Sequence, residues 1–247
     1  DGTRETTLTL PATSFEPSFQ PTLLDRYDPS GWLTQRRTAP SSTETLTEGF
    51  TYDGTGNRTS VIDPRGNRTD FCYDITFAGA PIAGGAANLT RVIEPAPTAG
   101  ANRLVSLIAY DNRNNVIRTV TPNGVPSGQT VDCSTDLSSV AGTHVADYAY
   151  DASGVNLLST TTRFTDLELG VQTAITKYEY GDPANPGLVT RVIPPRGNTA
   201  GSPDYTYATT FAYFTSGSRA GMLERVTDPL GNATSYDYDP VGRLVAS

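Results

Sequence analysis

Short runs in which β-branched residues alternate with polar ones recur along the chain and stop at proline. They are Leu89 to Pro95 (LTRVIEP), Leu188 to Pro195 (LVTRVIPP), Met222 to Pro229 (MLERVTDP) and, more loosely, Val116 to Pro122 (VIRTVTP). Period-two alternation ended by Pro is how a short strand closed by a turn reads. Each run carries an arginine at the same offset from its proline: Arg91, Arg118, Arg191 and Arg225. Thr6 to Leu10 alternates likewise and predicts a strand before Pro11. Aromatic residues alternate in Tyr148-Ala149-Tyr150, Tyr178-Glu179-Tyr180, Tyr205-Thr206-Tyr207, Phe211-Ala212-Tyr213 and Tyr236-Asp237-Tyr238. Residues i and i+2 of a strand face the same way, so each pair would put two rings on one side of a sheet. The small-residue stretch from Ile75 to Asn88 (ITFAGAPIAGGAAN) has neither period and reads as a loop or irregular strand. No stretch shows two helical turns with an apolar stripe, so the fold class is all-β with little or no helix.

An internal repeat organises these strands. From Gly56 it is seven residues to Asp63-Pro64, then Gly66-Asn67, then Phe71 and Tyr73; from Gly221 it is seven to Asp228-Pro229, then Gly231-Asn232, then Tyr236 and Tyr238. Tyr52-Asp53 with Gly56, and Tyr238-Asp239 with Gly242, each place Asp after a strand-ending Tyr and Gly three residues later. Such an Asp can accept a backbone N–H in a turn, and the Gly can take positive φ. The expected turn formers are therefore Asp53, Gly56, Asp63, Pro64, Gly66, Asp228, Pro229, Gly231, Asp239 and Gly242. Aligned copies would stack Tyr52, Tyr73, Tyr150, Tyr180, Tyr213, Tyr236 and Tyr238 into aromatic ladders across neighbouring strands.

These motifs resemble the YD-repeat, or rearrangement-hotspot (RHS), family. The resemblance rests on Tyr52-Asp53 with Gly56-Asn57-Arg58, Asp63-Pro64 with Gly66-Asn67, Asp228-Pro229 with Gly231-Asn232, and Tyr238-Asp239 with Gly242-Arg243-Leu244. Degenerate copies at Tyr27, Tyr110, Tyr150 and Tyr180 extend it over most of the chain after about residue 23. It implies a β-solenoid or spiralling antiparallel β-sheet of the kind that forms hollow shells around a toxic polypeptide in toxin-complex proteins and polymorphic toxins, and adhesive barrels in teneurins. The expected organisation is an extended N-terminal segment over residues 1–22 with one strand, then a YD-repeat β domain over residues 23–247, open at its C-terminal end. Asp1 is expected to be a processed, cut or excised end, and the chain is too short for a closed shell. Asp228-Pro229-Leu230-Gly231 resembles the Asp-Pro-x-Gly near the family's autoproteolytic site, but the Asn232 and further repeat behind it favour an ordinary turn.

Composition narrows the function. Gly and Pro number 23 and 18, so the chain must turn often. A formal charge of −8 with the basic residues scattered argues against nucleic acid. All basic residues but Lys177 are arginine, suited to stacking on rings and forking onto carboxylates. No run of apolar residues is long enough for a helical span, so no membrane insertion is expected. Cys72 and Cys133 lack metal-ligand spacing; they could bridge or remain buried thiols, and two thiols are favoured.

Candidate chemistry is sparse. His144 is the sole histidine, in the polar insertion DLSSVAGTHVAD, and could meet Cys133 or a serine only through the fold. Carboxylate pairs abound, but their aspartates mostly sit in turn slots, which explains them without glycosidase or calcium chemistry. Asn57, Asn67, Asn88 and Asn232 stand in Asn-x-Ser/Thr sequons, mostly by-products of the repeat. No catalytic residue, metal ligand or cofactor is expected. The principal reading is a non-catalytic, secreted or cell-surface shell segment, whose partners are the remainder of a larger shell and an enclosed polypeptide. The alternatives are an adhesion or carbohydrate-binding module, and a head-to-tail extracellular filament joined to further copies of itself through open sheet edges.

Overall fold

A computed structural model describes residues 2–12, 18–98, 100–122, 131–139, 144–198 and 202–246. The chain divides into two compact units, Asp1–Ala109 with Thr121–Val140, and Tyr110–Val120 with Ala141–Ser247. Each is an antiparallel meander in which every strand lies beside the next in sequence.

The first unit holds β1 (Arg4–Thr9), β2 (Thr22–Tyr27), β3 (Leu33–Ala39), β4 (Leu46–Tyr52), β5 (Arg58–Ile62), β6 (Arg68–Tyr73), β7 (Leu89–Ile93) and β8 (Val105–Tyr110). The expected extended connection after β1 falls partly on residues 13–17, outside the described residues; its ends close through the Leu10 N–H donating to the Pro21 carbonyl at 2.8 Å. The second unit holds β9 (Val116–Val120), β10 (Val145–Tyr150), β11 (Leu157–Asp166), β12 (Gly170–Glu179), β13 (Arg191–Ile193), β14 (Thr209–Tyr213), β15 (Leu223–Thr227) and β16 (Ala233–Ser235), with a separate pair β17 (Asp237–Tyr238) and β18 (Leu244–Ala246). Helical structure among the described residues is confined to single 3-10 turns such as Pro195–Asn198 and Gly217–Arg219.

The structure corrects the expected strand at Tyr205-Thr206-Tyr207, which is a 3-10 turn instead. Asp204 caps it, accepting from the Thr206 N–H at 3.0 Å and the Thr206 hydroxyl at 2.7 Å. A local side-chain acceptor here outcompetes the ladder that alternation alone would favour.

Register shifts recur at one kind of hairpin. They fall at Arg26/Tyr27, Thr51/Tyr52, Cys72/Tyr73, Ala149/Tyr150, Ala212/Tyr213 and Asp237/Tyr238, at each step into the tyrosine that ends a strand. The Asp-Pro hairpins, β5 to β6 and β15 to β16, pair without any shift. Bulges bend a strand and raise its right-handed twist. In the first unit bulged and regular hairpins alternate along the ribbon, whereas in the second the pairings from β11 to β14 are all unshifted.

The core is thin. Fully buried apolar side chains in the first unit are Ile93, Val105, Leu107 and Leu137, each 1% exposed or less. Leu137 belongs to a segment, residues 131–139, laid over β6 and β7, where its N–H donates to the Phe77 carbonyl at 2.7 Å. Cys133 of that segment forms a disulfide with Cys72 at the end of β6, correcting the expectation of two thiols. The Cα atoms stand 5.6 Å apart. A separation of 61 residues hid this proximity from the linear sequence.

In a chain-entropy picture, closing a loop of that length stabilises by about 4 kcal/mol. Replacing both cysteines by serine should therefore lower the urea midpoint by the equivalent of about 4 kcal/mol in equilibrium unfolding, and dithiothreitol should do the same to the native chain but leave the variant unchanged.

Candidate functional site

The repeat's polar residues form a set of near-identical turns. At Asp53 the backbone N–H donates to the Asn57 carbonyl at 3.0 Å and the Gly56 N–H donates back to the Asp53 carbonyl at 3.2 Å. The carboxylate collects the rest: Oδ1 accepts from the Thr55 and Asn57 N–H groups, both at 2.9 Å, and Oδ2 accepts from the Asn57 amide at 2.9 Å. Asp63 repeats this with Arg65 and Asn67, and Asp228 with Leu230 and Asn232. At Asp239 the Arg243 Nε takes the amide's place at 2.6 Å. Gly56, Gly66, Gly231 and Gly242 have φ of +94°, +83°, +87° and +85°, a region in which a Cβ is strained. Asp111 makes the same turn with Asn114 at φ +64° in the glycine slot, which asparagine tolerates. Pro64 and Pro229 follow their aspartates in the position where a fixed φ favours the turn.

These hydrogen bonds favour the ionised carboxylate. The Asn57 and Thr55 side chains hold Asp53 down at about 2, and Asp63, Asp111, Asp228 and Asp239 are lowered by their own turns.

Tyrosine hydroxyls tie the other side of each hairpin. Tyr73 donates to the Arg58 carbonyl at 3.0 Å, Tyr150 to Val116 at 3.2 Å, Tyr180 to Leu157 at 3.0 Å, and Tyr213 to Val189 at 2.9 Å. In each case the acceptor lies at or next to the start of the preceding strand, so the phenol bridges one hairpin to its predecessor. Burial pushes the phenols of Tyr73, Tyr180 and Tyr213 up. Ring pairs join Tyr52 to Trp32 (5.5 Å between centroids) and Tyr238 to Phe214 (6.3 Å, edge-on); Tyr236 donates its backbone N–H to the Glu224 carbonyl.

Arginines pair across strands or stack. Asp25 and Arg36 face each other in register and form a two-pronged pair, both bonds 2.8 Å, and the guanidinium holds the carboxyl low. Asp147 receives Arg118 at 2.5 Å and Arg163 at 2.7 Å, while Arg191 pairs with Glu179 opposite it and lies 4.4 Å from the Tyr205 ring centroid. Arg91 differs: it is 1% exposed and its guanidinium donates to the carbonyls of Asp132, Phe77 and Thr135, clamping two loops beside the disulfide. Desolvation lowers its pKa. Sequence reasoning grouped Arg91 with the other three arginines, because nothing in the local pattern marks the loop that folds over it.

Both cysteines are in the disulfide, so neither supplies a thiol nucleophile for His144, whose backbone sits at φ +67° with its N–H donating to the Arg163 carbonyl at 2.6 Å. Among the described residues no group of three or more His, Cys, Asp or Glu is close enough to hold a metal ion. No helix of the described residues is long and apolar enough to cross a membrane. The concavities are shallow, such as one of about 500 Å³ along Glu179, Thr190, Arg191, Phe211 and Tyr213.

Residues 27–68 and 218–247 match the family described as RHS Repeat. Those two stretches are RHS repeats. Among curated proteins none matches. The fold is similar to that of solved toxin-complex structures. The TcdB2-TccC3 crystal structure and TcdB2-TccC3-Cdc42 each superpose with a TM-score of 0.55 at 13% identity, covering 97% of this chain and 14% of theirs. TcdB2-TccC3 without its hypervariable C-terminal region gives 0.55 at 14% identity, over 91% of this chain and 11% of that one. The chain thus spans roughly a seventh or less of those polypeptides, and the likeness is one of fold.

Two measurements follow from the turns and tyrosines. A carboxyl whose folded pKa lies below its unfolded value of about 3.9 contributes stability that is complete above that value and lost as pH falls through the folded pKa. The melting temperature should therefore be level down to about pH 5 and drop between about pH 4 and pH 2, the window set by Asp53 at about 2 and its lowered counterparts. An unchanged melting temperature at the bottom of that window would remove the turns from the acid response. Separately, Tyr150→Phe and Tyr213→Phe should each cost about 0.5 to 1.5 kcal/mol in urea unfolding, the worth of one hydrogen bond, with little change in m-value.

Proposed function

We propose that this chain is a non-catalytic wall segment of a β-shell that encloses or scaffolds another polypeptide, in a secreted or cell-surface protein. The observation that carries the reading is the recurrence, within an antiparallel meander, of a bulge at strand-ending tyrosines (Tyr27, Tyr52, Tyr73, Tyr150 and Tyr213), each followed by an unshifted pairing. A ribbon that gains twist at one class of hairpin and not the other is driven to coil, and a coiled wall excludes proteases from what lies within. The turn residues Asp53, Gly56, Asp63, Pro64, Gly66, Asp228, Pro229, Gly231, Asp239 and Gly242, and the tyrosines Tyr52, Tyr73, Tyr150, Tyr180, Tyr213, Tyr236 and Tyr238, serve this wall as architecture. The similarity in fold to the toxin-complex structures supports the same reading, as does the disulfide, which suits an oxidising compartment. Partners are then the remainder of the shell and the polypeptide inside it.

The test is protease protection in the native polypeptide that carries this chain. Electron microscopy should show a hollow particle, and an internal segment should resist trypsin until the particle is opened by acid. A solid or extended particle, or an internal segment cleaved at the rate of the denatured protein, would overturn the shell. A melting temperature raised by a defined glycan panel would instead favour the carbohydrate-binding alternative.

A further inference from the structure

One element of the second unit is built unlike the rest. Strands β11 and β12 are ten residues each and pair from Ser159↔Lys177 out to Asp166↔Gly170, whereas β12 pairs with β13 only at Lys177, Tyr178 and Glu179. The hairpin therefore runs about eight residues, or roughly 25 Å, past the last rung that β13 shares with it. At its tip Leu167 and Leu169 are 102% and 72% exposed, and Val171 and Phe164 are exposed behind them. Asp166 fixes this presentation by accepting the Glu168 and Leu169 N–H groups, both at 2.8 Å. From Thr165 to Gln172 the tip carries Asp166 and Glu168 and no basic residue.

The same unit holds a counterpart. A concavity of about 410 Å³ is lined by Pro194, Tyr207, Pro229 and Leu230, with Thr206 and Arg196 at its rim. Arg196 is exposed, lies over the Tyr207 ring at 5.7 Å, and pairs with no carboxylate among the described residues. The nearby carboxylates are already engaged, Asp204 by Thr206 and Asp228 by its own turn. The floor is firm, because the Asn198 amide donates to the carbonyls of Ile175, Ile193 and Pro194, each at 3.0 Å, and a Cβ on Gly197 would meet the Asp204 carbonyl at 2.8 Å.

β11, β13 and β15 are alternate strands of one antiparallel ladder and run the same way, so the tip, Pro194–Arg196 and Pro229–Leu230 all lie at one end of the sheet. We propose that a second copy of this chain docks there: the Leu167-Glu168-Leu169 tip of each copy enters the Pro194, Tyr207, Pro229 and Leu230 concavity of the other, with Glu168 on Arg196. Because tip and receptor share one end, the exchange is reciprocal and closes on a two-fold axis, and it gives a dimer and no filament. The two hairpins meet along the β12 edge beyond Ile175, which β13 leaves unpaired, while β10 supports β11 out to Arg163.

Sedimentation of the 247-residue chain from about 5 to about 500 µM tests this. The expected result is a monomer of 26.3 kDa in equilibrium with a species of twice that mass. Leu167→Ser with Leu169→Ser should weaken the dimer at least about tenfold, and Glu168→Arg or Arg196→Glu alone by about tenfold, whereas the two charge changes together should restore it to within about threefold. All four side chains are exposed, so circular dichroism of the variants should match the parent. A monomer at every concentration, a dimer indifferent to the tip serines, a charge pair with no rescue, or growth beyond two copies would each overturn the proposal.

Discussion

The aspartate carboxylate at the head of the repeat hairpins is what the rest of the structure depends on. A ribbon with so few buried apolar side chains cannot rely on a central core to choose its register. Each hairpin has to specify itself. At Asp53, Asp63, Asp228 and Asp239 one side chain gathers two backbone N–H groups and at least one side-chain donor across five residues, with glycine supplying the positive φ that closes the turn. Once the turn is set, the strands can pair in only one register, since a slip of one residue would reverse every side chain. The tyrosine hydroxyl then links that hairpin to the one before it. Stability in such an array is built from nearest neighbours.

Much of this was readable in advance because it is local. Alternation up to a proline marks β7, β9, β13 and β15, and the Asp-to-Gly spacing marks where the chain reverses. The irregular stretch after Tyr73 also reads correctly from its lack of period; it forms only an isolated bridge, Ile75 to Pro81, and loops. What eluded the sequence is what depends on distance along the chain. The Cys72–Cys133 bridge and the buried Arg91 both exist because residues 131–139 return over β6 and β7, and no spacing rule reports that return. Tyr205-Thr206-Tyr207 misleads for the opposite reason: a competing interaction, the Asp204 cap, is more local than the strand pattern.

Arginine serves opposite ends in this protein. Arg26, Arg36, Arg118, Arg163 and Arg191 sit partly exposed against a carboxylate one strand away, where each pair adds little energy but penalises mispairing. Arg91 is desolvated, and its two terminal nitrogens donate to carbonyls alone while its buried Nε has no partner. That arrangement costs more to form and gives more in return, because it holds two loops at once and sits beside the disulfide in the same corner of the first unit. The covering segment is thus held by one covalent anchor and one charged hydrogen-bond donor.

The bulges carry a further consequence. A strip whose two seams consume unequal lengths of thread cannot be pressed flat, and its radius depends on the mismatch per stitch, not on the number of stitches. Where a Tyr-Asp seam is one residue longer than the regular seam beside it, such hairpins can be duplicated or lost without altering the bend of the ribbon they share. Length and curvature then become independent quantities, and a gene could lengthen the ribbon by copying hairpins while leaving the geometry of every existing one untouched.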